Sequence, residues 1–195
     1  MEIIIHRINN IKTLKKIDKN FGCEIDIRTN KSELILNHDP YIGGDIFEDY
    51  LDNYNHGTLV LNIKESGIEN DVLQLVKKYQ IKSYFLLDTE NPYIYYAQRN
   101  NIRSLALRFS EYEPIENINY FKNKFEWVWI DTPTKFPILN NNIYNALSNF
   151  KLCLVCPERW SQPEKINLYK KIIKKNNFKI DAVMTSLTYA EKWLN

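Results

Sequence analysis

The chain has 195 residues, with 26 Lys or Arg against 24 Asp or Glu and a formal net charge of +2. That is enough chain to bury a large core as a single domain spanning 1–195, and too balanced a charge to favour nucleic acid or an anionic membrane surface as a partner. No apolar run approaches the ~20 residues that cross a bilayer. The N-terminus carries no signal-peptide pattern, and three cysteines, an odd count, suit a reducing compartment, so a cytoplasmic protein is expected.

In chain order the sequence alternates between strand and helix patterns. EIIIHR (2–7) is the first strand, and Ile11, Leu14, Ile17 and Phe21 then recur at helical spacing. CEIDIR (23–28) is the second strand, and a short extra strand, ELILN (33–37), is expected to pair with its end through Thr29-Asn30-Lys31. Gly43-Gly44 reads as a tight loop. Further strands are expected at 58–64, 83–88, 103–109, 127–131, 151–156 and 180–186. Helix starts are marked by Glu69-Asn70-Asp71 after Gly67, by Asn91-Pro92 and by Ser161-Gln162-Pro163, where proline suits the first turn. Ile166, Tyr169, Ile172 and Ile173 give the last of these a core face, with the lysines of 170–175 on its solvated side. Cys153 and Cys156, three apart in a strand, point to opposite faces and read as packing residues. Eight strands each followed by a helix is the count of a compact α/β (β/α)8 TIM barrel, and no Gly-rich phosphate loop follows the first strand as an open doubly wound sheet would favour.

In such a barrel the chemistry sits at the C-terminal ends of the strands. Two of the three histidines lie there or in the following loops, namely His6 beside Arg7 and His38 beside Asp39. Strand alternation puts Glu24, Asp26 and Arg28 on one face of the second strand, with Ile25 and Ile27 on the other. Asn62 and Lys64 share a face of the third barrel strand in the same way, whereas Glu65 points away from Asn62. Asp88, Arg108, Asp131 and Glu158 also lie at or just beyond strand ends. His56 precedes its strand and reads as a turn or packing residue. Trp127 and Trp129 read as interior or rim residues.

The order HR, then ExD, then HDP, then a strand ending in lysine resembles the glycerophosphodiester phosphodiesterase family, within the wider group of phospholipase C-like phosphodiesterase barrels. The likeness covers residues 2–64 most closely, and DAVMTSLTYAEKWL resembles the family's last strand and helix. It implies that His6 and His38 are an acid/base pair, that Arg7 and Lys64 hold a phosphate, and that Glu24, Asp26 and Asn62 bind a divalent cation, Mg²⁺ or Ca²⁺. The implied activity is hydrolysis of a small phosphodiester. A hard cation on carboxylates stabilises charge developing on phosphate oxygens, while one imidazole takes a proton and the other gives one. Two departures stand out. Asn62 replaces the family's usual glutamate, which removes one negative charge from the metal site, and the usual insertion after the HD motif is nearly absent. They motivate an alternative from another class, a barrel without turnover that binds a phosphorylated ligand or a protein partner. A third reading makes Lys64 a Schiff-base lysine of an aldolase-like barrel.

Overall fold

In the computed structural model, residues 1–194 are described and form two compact units, one of Ile4–Tyr96 and one of Met1–Ile3 with Ala97 onward. Strands are numbered β1 (Glu2–Ile5), β2 (Gly22–Asn30), β3 (Glu33–Leu36), β4 (Asp45–Ile46), β5 (Leu59–Ile63), β6 (Tyr84–Leu87), β7 (Ala106–Phe109), β8 (Trp127–Ile130), β9 (Lys151–Val155) and β10 (Ala182–Thr185). Helices are α1 (Ile11–Leu14), α2 (Phe47–Asp52), α3 (Glu69–Lys78), α4 (Asn91–Arg99), α5 (Ile115–Tyr120), α6 (Asn141–Leu147), α7 (Ile166–Lys175) and α8 (Glu191–Leu194).

In the first unit β2 is the central strand. Parallel β5 lies along one edge, with Glu24 opposite Val60 and Asp26 opposite Asn62, and β6 pairs parallel with β5. The other edge is shared. The end of β1 pairs with the start of β2, Ile4 opposite Gly22, and antiparallel β3 pairs with its end, Ile27 opposite Leu36. Between these two partners the carbonyls of Glu24 and Asp26 accept from the N–H groups of Ile8 (2.9 Å) and Asn37 (3.0 Å). The loops after β1 and β3 are thereby stitched to the stretch of β2 that carries the acidic residues. Buried Ile25, Ile27, Leu61 and Ile63 share the core with Val72 and Val76 of α3 and Phe47 of α2.

The second unit carries β7, β8, β9 and β10 as a parallel run, Arg108 opposite Trp129, Ile130 opposite Leu154 and Val183 opposite Leu154. Trp127, Trp129, Leu154 and Val183 are buried, as are Ile166 and Tyr169 of α7 and Trp193 of α8. Cys23, Cys153 and Cys156 are buried free thiols, and the Trp193 indole N–H donates to Cys156 Sγ at 3.2 Å. Among the described residues no helix is long and apolar enough to cross a membrane.

The expected elements are all present, with three differences that have physical causes. The helical spacing from Ile11 to Phe21 yields only the one-turn α1. Past Leu14 the chain tightens to three-residue turns, Lys16 N–H to the Thr13 carbonyl (2.9 Å) and Ile17 N–H to the Leu14 carbonyl (3.0 Å). Asp18, accepting from the Asn20 N–H (2.9 Å), keeps the helix from resuming toward Phe21, because a short acidic side chain competes for backbone donors. The first strand stops at Ile5, since Arg7 has φ 55°, a left-handed turn. Gln162-Pro163 opens a 3-10 turn (Pro163–Lys165) before α7 begins at Ile166.

Candidate active site

Glu24 and Asp26 are both buried on the β2 face that Asn62 of β5 shares. Each oxygen of Glu24 has a partner. Oε1 accepts from Asn62 Nδ2 at 2.9 Å, and Oε2 accepts from the Arg7 backbone N–H at 2.8 Å with His6 Nε2 3.8 Å away. The Arg7 bond stabilises a left-handed backbone that an L residue with a Cβ adopts at a cost of about 1 kcal/mol or more. The turn after β1 is thus held open by the carboxylate it serves.

Asp26 is fastened by Asn9 on both sides. Its backbone N–H donates to Asn9 Oδ1 and its Oδ2 accepts from Asn9 Nδ2, each at 2.8 Å. Two cations flank it, Lys64 Nζ at 3.1 Å from Oδ1 and Arg7 Nε at 3.7 Å from Oδ2. Burial pushes the Glu24 carboxyl up to about 7, the Asp26 charge adds to the rise, and the Asn62 amide, the Arg7 N–H and Lys64 pull the other way.

His38 arrives on the loop after β3. Its Nδ1 lies 2.8 Å from Asp39 Oδ1. An ionised carboxylate can only accept, so Nδ1 carries the hydrogen and Nε2 is the acceptor of the neutral ring. Asp39 is correspondingly held below the usual carboxylate range, first by its hydrogen bond to His38. Arg28 positions the loop from below, donating to the His38 carbonyl from Nε (3.1 Å) and Nη2 (3.0 Å) and to the Lys64 carbonyl from Nη1 (3.2 Å). Glu65 turns away from Asn62, as its parity implies, and accepts from the Thr29 N–H at 2.7 Å.

The structure therefore brings His6, Arg7, Glu24, Asp26, Asn62 and Lys64 into one network, and Arg28 ties the backbone of His38 to that of Lys64. Asn9, Asp39 and Arg28 have positioning roles that spacing alone did not assign. For Asn9 no sequence signal was available, because its reach to Asp26 depends on the left-handed turn at Arg7. His56 is a packing residue, with Nε2 3.2 Å from the Ile17 carbonyl and its ring beside Tyr54.

Asp26 Oδ1 and Asn62 Oδ1 are buried acceptors that receive no hydrogen bond. Neighbouring strands present them in register, and although Lys64 Nζ pairs with Asp26 Oδ1 at 3.1 Å, two hard oxygens that accept no hydrogen bond are chemically suited to a divalent cation. The set holds two carboxylates and one amide. Among the described residues no group of three His, Cys, Asp or Glu is arranged to hold a metal.

No protein-family model matches the chain. No curated protein matches it in sequence. Solved structures do. The chain is similar to a protein of Agrobacterium tumefaciens assigned as a glycerophosphoryl diester phosphodiesterase, with TM-score 0.69 and 10% identity over 99% of this chain and 96% of that one. It is also similar to a glycerophosphoryl diester phosphodiesterase of Parabacteroides distasonis (TM-score 0.64, 15% identity, 94% of this chain and 81% of that one). A glycerophosphodiester phosphodiesterase of A. tumefaciens gives TM-score 0.67 at 11% identity, over 94% and 96% of the two chains. At these identities the likeness is one of fold, and it bears out the expected α/β class, a compact (β/α)8 TIM barrel.

Proposed function

We propose that the chain is a phosphoric diester hydrolase of the glycerophosphodiester phosphodiesterase kind, acting on a small phosphodiester. The observation that supports this reading is the convergence of Glu24 and Asp26 with His6, Arg7 and Lys64 on one buried face, in a fold shared with structures that carry that name. Lys64 and Arg7, both within 4 Å of Asp26, supply the positive charge that a phosphate needs. His38, oriented by Asp39, takes or gives a proton at Nε2, and His6, set against Glu24, is the complementary acid or base. Glu24, Asp26 and Asn62 would hold Mg²⁺ or Ca²⁺, with substrate phosphate and water completing its shell, as is usual where one or two carboxylates bind Mg²⁺. Such a cation supplies Lewis-acid stabilisation of charge on the phosphate oxygens. The buried free thiols support a reducing, cytoplasmic setting. Lys64 sits in an ion pair with Asp26 and not in the apolar surroundings that favour an amine nucleophile, so the Schiff-base reading has no support.

One observation favours the second reading, a barrel that binds a phosphorylated ligand without turnover. The amide of Asn62 stands where a third carboxylate would complete the acidic set, and its N–H is spent on Glu24. Hydrolysis of bis(p-nitrophenyl) phosphate and of glycerophosphodiesters with Mg²⁺, Ca²⁺ or Mn²⁺ separates the two. The enzyme reading expects turnover that falls at least about 100-fold in His38→Ala and in His6→Ala and is lost in EDTA. Absence of turnover with every metal, together with phosphate binding that requires Arg7 and Lys64, would establish the binder.

A further inference from the structure

The second unit carries a cluster that the proposed chemistry does not use. Asp131, just past the end of β8, is buried. It accepts from the Trp160 indole N–H at 2.8 Å and from the Thr132 backbone N–H at 3.1 Å through Oδ1, and it pairs with Arg108 of β7 through Oδ2. Trp160 nonetheless remains 43% exposed. It stands at the end of the 3-10 turn Pro157–Trp160, which is anchored on every side. Glu158 accepts from the Ser186 N–H (2.7 Å) and the Thr185 hydroxyl (3.1 Å) at the end of β10. Gln162 Nε2 donates to the Pro133 carbonyl at 2.7 Å, and Ser161 between them takes a left-handed φ of 59°.

An exposed indole is ordinarily tolerated as a loose surface residue. This one is fixed in orientation by its own N–H, by strained backbone and by anchors to the ends of β8 and β10. A rigid aromatic face offered to solvent beside a guanidinium is the arrangement that binds a ligand at small entropic cost. It also lies at the C-terminal ends of parallel strands, where this class of fold places ligands. We propose that Trp160, Arg108 and Asp131 form a second binding subsite, for a hexose carrying one anionic group. The apolar face of the sugar ring stacks on the indole, and Arg108 meets the carboxylate or phosphate, which suits its fork of donors. A single exposed aromatic face can take the C–H groups of one face of a sugar ring. The assignment stands independently of the phosphodiesterase reading, since it uses none of the residues of that network.

Isothermal titration calorimetry of the full chain tests it, with glucuronate and glucose 6-phosphate as probes and glucose, inorganic phosphate and uridine 5′-monophosphate beside them. The expected result is saturable binding of both anionic hexoses, with glucose and inorganic phosphate about tenfold weaker or more. Trp160→Ala and Arg108→Gln should each weaken the hexoses by a similar factor. Trp160→Phe, which keeps a ring but not the N–H bonded to Asp131, should fall between and serves if Trp160→Ala does not fold. Absence of saturable heat with either anionic hexose would overturn the assignment. So would wild-type affinity in Trp160→Phe and Arg108→Gln, or preference for the uridine nucleotide.

Discussion

Glu24 is the residue on which most of the candidate site turns, because it is buried beside a second carboxylate and yet accepts hydrogen bonds at both oxygens. Its carboxyl is pushed up to about 7 from an ordinary 4.5, mainly by burial. The consequence for stability has a definite sign. Below about pH 4.5 the folded and unfolded chains both hold the proton. Between there and pH 7 the folded chain keeps it while the unfolded chain releases it, so stability falls as pH rises. With about 1.4 kcal/mol per pH unit, this group alone removes roughly 3 kcal/mol across that window. Glu24→Gln cannot ionise and should flatten the fall. Urea unfolding at pH 5 and pH 7.5 reads the effect as a smaller difference between the two pH values in the variant than in the wild type. An equal difference in both would show that folding does not raise the Glu24 carboxyl.

At the scale of elements, the position of His38 depends on how β3 returns through β4. Gly44 lies so close to β3 that an added Cβ would meet the Leu36 carbonyl oxygen at 2.1 Å and its carbon at 2.9 Å, while Gly43 has nothing within 4 Å. Backbone cannot swing away as a side chain does, so Gly44→Ala should cost about 1–3 kcal/mol by forcing the strands apart. It should also displace the His38 loop, lowering phosphodiester turnover. Gly43→Ala should be near neutral. Denaturant midpoints and turnover of the two variants give the comparison, and equal behaviour would mean that the loop yields freely. The same region shows what a sequence can and cannot disclose. The alternation in CEIDIR was sufficient to put Glu24, Asp26 and Arg28 on one face, and the parity of Asn62 and Lys64 was read correctly for the same reason: a strand has a period of two whatever surrounds it. The two-residue β4 and the clasp of Asn9 on Asp26 were not legible, because both depend on a chain reversal between residues with no shared periodicity. The truncation of α1 was in principle readable from Asp18, whose competition for backbone donors is local, but the apolar spacing through Ile17 and Phe21 outweighed it.

At the scale of the whole molecule, a bound cation should appear in the unfolding of the entire chain, because a ligand held only by the folded state stabilises it by mass action. Asn62 sets how strongly. In the wild type two carboxylates and an amide oxygen would face the proposed cation, and the Asn62 N–H satisfies Glu24 Oε1. Asn62→Glu removes that donor and places a third carboxylate against a buried one. Without metal it should destabilise the chain by about 2 kcal/mol. For a chain of this length that is a fall in Tm of about 4–8 °C. With Mn²⁺ the sign reverses, because the same charge now adds a ligand. At a hundredfold excess over Kd the gain is about 2.7 kcal/mol, enough to recover the loss. Thermal unfolding with and without Mn²⁺ should therefore give a larger upward shift in Asn62→Glu than in the wild type, and Asp26→Asn should reduce the shift in both backgrounds. If Mn²⁺ moves Asn62→Glu no further than the wild type, the Asn62 position does not face a cation. The charge on Asp26 would then be answered by Lys64 and Arg7 alone.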